Sequence, residues 1–340
     1  MDTKALLSRL NIDPYVGAIV GMVGLASVVP VHGIGAVVGG HATNAAIAVL
    51  FFLHGAKLEP RAALAGARHW RLHVVVLLST FVLFPLLGLT ARAMAPHLLP
   101  PALWAGLLLL CVLPSTVQSS IAFTSIARGN VPAALCAATA SNLLGMALTP
   151  LLAGLLLHTH GGFSAHAVGD IAMQLLLPFC AGQLARPWLG AWAVRSRRLL
   201  GLVDRGSILL VVYVAFSDGV SQGIWHQLDA TSLGTLLLVD AALLASVLAL
   251  TTVAGRVLGF SRDDEIVVVF CGSKKSLASG LPMATVLLAG QSAGLIVLPL
   301  MLFHQIQLMA CAALARRYAA RAEETDQAAA LAGLPIQAHS

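Results

Sequence analysis

The chain has 340 residues, of which 58% are hydrophobic and only 10% charged, with a formal net charge of +6. A soluble domain carries about 25% charged residues. The composition therefore excludes one and, with a mean hydropathy of +0.89, identifies an all-α polytopic membrane protein. The positive charge does not point to nucleic acid. The basic residues fall in short loops between apolar stretches, where they act as topology signals.

Apolar stretches of about 17–25 residues mark membrane-spanning helices. Ten are found, at 15–31, 40–55, 73–95, 102–124, 132–157, 166–185, 206–222, 232–255, 266–288 and 293–315. Lys4 and Arg9 precede the first, as in a signal peptide. That run is long for a signal peptide and no small-residue cleavage site follows, so it is read as a span. With the N-terminus inside, inner segments carry 17 lysines and arginines and outer segments carry only Arg92. This positive-inside pattern puts both termini in the cytoplasm of an inner or plasma membrane protein. The five cysteines all fall inside predicted spans without metal-ligand spacing, and they read as small buried residues. His41, His54 and His304 likewise show no such spacing.

The two basic residues left over are Lys274 and Lys275, deep in the ninth stretch. A charged side chain at the centre of a membrane helix costs ~2.5–3.5 kcal/mol on the insertion scale. The surrounding sequence, Gly272-Ser-Lys-Lys-Ser-Leu-Ala-Ser-Gly-Leu-Pro282, suits an interrupted helix whose unwound backbone faces a polar cavity. The fourth stretch carries a counterpart, Leu113-Pro-Ser-Thr-Val-Gln-Ser-Ser120. Ten spans split into two fives, and an odd-numbered half must be inverted relative to the other. The predicted organisation is a first five-helix repeat over 1–157, a second inverted one over 158–318, and a cytoplasmic tail over 319–340. Matched interruptions in the two halves of a repeat are the sequence pointer to a transporter site at the bilayer midplane.

These residues also carry a resemblance. Phe52-Leu-His-Gly-Ala-Lys57, Leu113-Pro-Ser-Thr-Val-Gln-Ser-Ser120, Ala127-Arg-Gly-Asn130, Leu177-Pro-Phe-Cys-Ala-Gly-Gln183 and Cys271-Gly-Ser-Lys-Lys-Ser-Leu-Ala278 are the telling pieces. In order and spacing the chain resembles the SBF-like (YfeH-type) branch of the bile acid:sodium symporter superfamily, from about Pro14 to Tyr318. The resemblance implies a panel domain from spans one, two, six and seven, and a core domain in which broken helices four and nine cross. Substrate would bind near that crossing, and the domains would move to alternate access. Two sodium ions would bind there in the characterised symporters.

Transferred residue by residue, the implied sodium ligands fall near Ser119, Ser120 and Ile121 on span four and on Ala134 and Ala138 on span five. On span three they fall on Thr80, five residues before Pro85, and on span nine near Phe270, Lys274 and Lys275. Alanine offers no ligand atom, and an ammonium donates hydrogen bonds but has no lone pair to give a cation. Sodium coupling of the family type is therefore not expected.

Two roles for the lysines follow. Lys274 or Lys275 replaces a sodium ion, its ammonium sitting among Gln118, Ser119, Ser120 and backbone carbonyls freed at the break. Alternatively, one lysine exchanges a proton during transport, since burial disfavours the charged form. A bland reading also exists, in which a lysine snorkels to an interface or pairs permanently with a carboxylate. Asp240, mid-span in helix eight, is the obvious partner, either as a proton relay or as a fixed ion pair. The candidate substrate- and ion-binding set is Thr80, Ser115, Gln118, Ser119, Ser120, Asn142, Asp240, Lys274, Lys275 and Ser276, with no metal ligand and no cofactor. Asn44, Gln174, Gln183, His304, Gln305 and Gln307 are weaker signals that either line a cavity or bond across helices.

The expectation is a secondary transporter, not an enzyme, moving a small organic anion, with a proton or no coupling ion. Its alternatives are a sodium symporter with relocated ligands, Asp240 among them, and a non-transporting membrane regulator. Substrate identity and oligomeric state are not encoded in any motif.

Overall fold

The computed structural model describes residues 14–57, 69–157, 165–221, 223, 228–287 and 293–331. The predicted cytoplasmic Lys4, Arg9, Arg61 and Arg68, the side chain of Gln174 and the end of the tail lie outside them. Among the described residues all regular structure is helical. In chain order the helices are α1 (Pro14–Val28), α2 (Ile34–Lys57), α3 (Trp70–Leu78), α4 (Phe84–Met94), α5 (Pro101–Val112), α6 (Val117–Ile126) and α7 (Val131–Leu156). They continue with α8 (Ala165–Arg195), α9 (Arg197–Ser221), α10 (Ala230–Val257), α11 (Arg262–Gly272), α12 (Leu277–Leu287) and α13 (Ala293–Leu331).

Among the described residues, six helices are long and apolar enough to cross a membrane, and the bent pair α5–α6 makes a seventh. Large apolar side chains such as Val28, Leu184, Trp188, Leu238 and Val257 lie more than 70% exposed. A soluble surface has no use for so wide an apolar cover, whereas lipid does. The chain is a multi-pass membrane protein.

Helix starts follow from local chemistry. Asn130 caps α7 by accepting from Ala133 N at 3.0 Å, and Asp229 caps α10 through Ser232 N at 2.8 Å. Ser261 caps α11, whose first turn holds Asp263, Asp264 and Glu265 where the helix dipole favours acids. The interruptions have identifiable causes too. Pro114 disfavours helical backbone at Leu113, which is extended (φ −70°, ψ 152°), and the chain turns by 64° before α6 begins. Between α3 and α4 runs a π-helical segment, Ser79–Leu83, with Pro85 just beyond it.

Helix α2 packs along α8, and α9 lies against α1 and α2. The α2–α8 seam rests on two glycines. A Cβ on Gly55 would strike the Phe179 carbonyl, and one on Gly182 would strike the Phe52 carbonyl. Small residues that let backbones meet are the usual device for helix pairing in lipid. Two of the motifs that carry the family resemblance thus meet each other across this seam.

Elsewhere, polar contacts tie α13 to the turn before α7 and to the first turn of α11. Arg128, in left-handed backbone (φ 58°), pairs with Glu323 at 3.0 Å. Asn130 donates to Asp264 at 2.9 Å, and the Tyr318 hydroxyl donates to Glu265 at 3.0 Å.

Candidate functional site

The break between α5 and α6 frees carbonyls that a continuous helix would have used. Buried backbone acceptors need partners, and four of them here have found one. Thr149 on α7 donates to Val112 O at 2.8 Å, and Ser276 N donates to Pro114 O at 2.9 Å. Cys111 O and Leu113 O both accept from the Lys275 ammonium, at 2.7 and 2.8 Å.

The third partner of Lys275 comes from the π segment. There the bonding pattern is shifted to i→i+5, and Phe84 N donates to Ser79 O. The next donor in that pattern would be residue 85, but proline has no N–H. Thr80 O is therefore left over, and Lys275 Nζ donates to it at 2.8 Å. An ammonium has three hydrogens, and all three are in use. The ring of Phe84 lies 4.1 Å from the nitrogen and closes the remaining side.

The Lys275 backbone is held as tightly as its side chain. Its N–H donates to Gln307 Oε1 at 3.0 Å, and its carbonyl accepts from Gln307 Nε2 at 2.9 Å and Thr116 Oγ1 at 2.8 Å. Gln307 Nε2 also lies 2.8 Å from His304 Nδ1. The two breaks therefore interlock directly: residues 111–116 bond to residues 275 and 276 through side chain and main chain.

Lys274 is equally buried but differently placed. Its ammonium sits 3.8 Å from the centroid of the Phe123 ring and makes no hydrogen bond. Asp240 is also fully buried, with neither carboxylate oxygen hydrogen-bonded. It is not within hydrogen-bonding distance of either lysine in this structure.

The remaining candidates scatter around the breaks. Ser115 Oγ lies 3.4 Å from Ser120 Oγ, which donates to Phe270 O at 3.3 Å. Ser276 Oγ accepts from Ser279 N at 3.3 Å, and the Thr80 hydroxyl turns back to Val76 O at 2.8 Å. Ser119 Oγ and Asn142 Oδ1 are buried without a partner, while Gln118 is exposed. None of Gln118, Ser119 and Ser120 contacts the Lys275 ammonium; carbonyls supply the whole cage. Ala134 and Ala138 pack with Val267, Val268 and Cys271 in an apolar cluster. The residues that sequence reasoning left out are Thr149 and Phe84; Ser141, beside Asn142 on span five, accepts from Ser115 N at 3.1 Å. The role of Gln307 had one signal, an amide three residues after His304 in an apolar span.

A lipid-facing helical bundle with two broken helices locked end to end, and fixed charge buried at the break, is the build of a membrane transporter. Residues 13–320 match the SBF-like CPA transporter family, and the chain belongs to that family. It is 56% identical over 325 residues to the Pseudomonas aeruginosa protein PA2026, covering 95% of this chain and 97% of that one. Identity to "Putative symporter YfeH" of Escherichia coli is 52% over 314 residues, covering 92% and 95%. "Sodium/bile acid cotransporter 7" of Rattus norvegicus is 27% identical over 315 residues, covering 89% and 92%. The family makes the protein a transporter of a small molecule in a lipid environment, and not an enzyme.

Proposed function

We propose that the protein is a secondary transporter of a small organic anion, working by alternating access, in which Lys275 takes the place of a bound sodium ion. The observation that carries this reading is the Lys275 ammonium on Thr80 O, Cys111 O and Leu113 O at 2.7–2.8 Å. Three carbonyl oxygens converging on one positive charge resemble a monovalent cation site, filled here by a tethered cation. A tethered charge cannot be exchanged with solution, so transport is either proton-coupled or uncoupled. The anion class rests on the buried positive charge, and on relatives whose names include bile acid cotransport.

In this reading the chain crosses the inner or plasma membrane ten times, with both termini cytoplasmic. Inverted halves span 1–157 and 158–318, and a cytoplasmic tail follows over 319–340. A helix lies over each of the ten apolar stretches, and breaks occur at matched places in the two halves, which supports that arrangement. Helices α1, α2, α8 and α9 form the panel, and the other helices carry the crossing. The wider site includes Ser115, Gln118, Ser119, Ser120, Asn142 and Ser276 at the breaks.

The test is uptake of labelled organic anions into proteoliposomes under sodium, potassium and proton gradients. Uptake indifferent to sodium is expected; strict sodium dependence overturns the role given to Lys275. One observation favours a second reading, a sodium symporter with relocated ligands: both Asp240 oxygens are buried and unpartnered. That reading requires sodium-stimulated uptake that disappears in Asp240→Asn.

A further inference from the structure

We propose that His304 is a positioning residue through which protons act on the α11–α12 break: neutral, it holds the Gln307 amide on the Lys275 backbone, and charged, it lets that amide go. The inference rests on the transport reading for its meaning and adds a regulator to the same site. The amide of Gln307 has one orientation open to it. Its Oε1 accepts from Lys275 N at 3.0 Å, and its Nε2 donates to Lys275 O at 2.9 Å. Turned over, it would set a donor against the N–H and an acceptor against the carbonyl. With that orientation fixed, it is Nε2 that lies 2.8 Å from His304 Nδ1. An amide nitrogen only donates, so Nδ1 must accept, and the ring is neutral with its proton on Nε2.

A second proton, taken from water onto Nδ1, sets two donors face to face. The amide can then meet the ring favourably only by turning over, which mispairs both of its bonds to Lys275. His304 is also the place where a proton can enter this chain of bonds. Gln307 and Lys275 are completely buried, whereas His304 is half-buried. An ionisable side chain within a span faces the bundle interior or a water-filled space, so its exposed part is open to water. The helices packed against α13 bring other titratable groups into the region. Among them α6 and α12 carry none, α5 brings the Cys111 thiol, α10 brings Asp240, and α9 brings Tyr213 and Asp218, with Lys274 and Lys275 at the break. The charged residues in the first turns of α9 and the last turn of α10 lie at helix ends. A substitution at position 304 separates the ring from all of these.

The experiment follows hydrogen exchange of the full-length protein at about pH 7.5 and about pH 5.5, which bracket the range where histidine changes charge. Rates are corrected for the intrinsic effect of pH on exchange. In the wild type the Lys275 amide should be protected at the higher pH. At the lower pH it should lose on the order of tenfold in protection, the worth of one or two hydrogen bonds. His304→Asn keeps a side-chain acceptor that does not titrate, so its Lys275 amide should hold nearly the same protection at both pH values. Because a variant can fail to fold, the wild type also decides alone: equal protection of the Lys275 amide at the two pH values overturns the proposal. A pH-dependent loss of the wild-type size in a folded His304→Asn protein overturns it as well, since the ring is then not the group that responds. Neither readout is uptake, so either failure leaves the transport reading standing, and a failure of that reading in proteoliposomes leaves these exchange results unchanged.

Discussion

Lys274 and Lys275 are neighbours in sequence and equally buried, yet they sit in opposite chemical surroundings. Lys275 faces acceptors: three carbonyls from two interrupted helices, each freed by a local backbone event. Lys274 faces the Phe123 ring, 3.8 Å from its centroid, and no carbonyl. Burial alone therefore says little about a charged residue in a membrane protein. What decides its role is whether unsatisfied backbone has been aimed at it. At this break one lysine completes the fold, and its neighbour has no carbonyl to bond.

The largest predicted effect breaks the first environment. Lys275→Ala strips the donor from three buried carbonyls, which should cost about 3–5 kcal/mol. The measurement is a strongly lowered melting temperature of the purified protein. The same variant offers a sharper readout, because it leaves the oxygens of a cation cage without their tethered charge. Sodium should then raise its melting temperature saturably, and should have no such effect on the wild type. A cage that ignores sodium after Lys275→Ala would show that the three oxygens do not form a cation site.

The next effect tests whether the backbone clamp is needed to keep the two lysines pointing apart. Gln307→Leu leaves the Lys275 N–H unpaired and takes one of two donors from its carbonyl. A loss of about 2–3 kcal/mol is expected, read from thermal unfolding. Uptake should fall with it, because the α11–α12 break is held to α13 through this amide. Gln307→Glu, which keeps an acceptor for the N–H, should lose less than Gln307→Leu.

Much of this region was legible in the sequence, and for definite reasons. Pro114 and the Gly272–Gly280 run announce interrupted helices because proline and glycine act on the backbone locally. A pair of lysines in an apolar stretch cannot escape notice. Thr80, five residues before Pro85, was already singled out, but a sequence does not reveal a π segment, and its side chain proved secondary to its carbonyl. The expected partners of Lys275 are Gln118, Ser119, Ser120 and carbonyls freed at the break; the structure uses carbonyls alone, and which of them converge no motif marks, because every residue carries one. The seam of Gly55 and Gly182 shows the same limit. Both glycines stand in recognisable motifs, but that they meet across α2 and α8 is a tertiary fact.

A smaller effect probes the carbonyl that comes from the π segment. Pro85→Ala restores an N–H that can donate to Thr80 O and compete with Lys275 for it. One of the three ammonium bonds should weaken, at a cost of about 1 kcal/mol. Hydrogen exchange can check this directly: the new amide at position 85, donating to Thr80 O in the same i→i+5 pattern, should be protected. If amide 85 exchanges freely while stability is unchanged, Thr80 O was not short of a donor, and the account of the third bond fails.

The smallest effect falls on the other lysine, and its smallness is the point. Lys274→Met removes a buried ammonium that bonds no carbonyl, so no backbone group is left unpaired. Methionine has a similar length and packs well against an aromatic ring. The attraction to the Phe123 face, about 0.5–2 kcal/mol, is lost, but so is the burden of an unpaired charge. Melting temperature should therefore stay close to that of the wild type, or rise. The contrast with Lys275→Ala, measured side by side, is the decisive quantity. Equal losses in the two variants would mean that Lys274 also holds the fold together, and the division between the two lysines would collapse. A near-neutral Lys274→Met beside a crippled Lys275→Ala would mean that, of two adjacent and equally buried charges, only one holds the fold together.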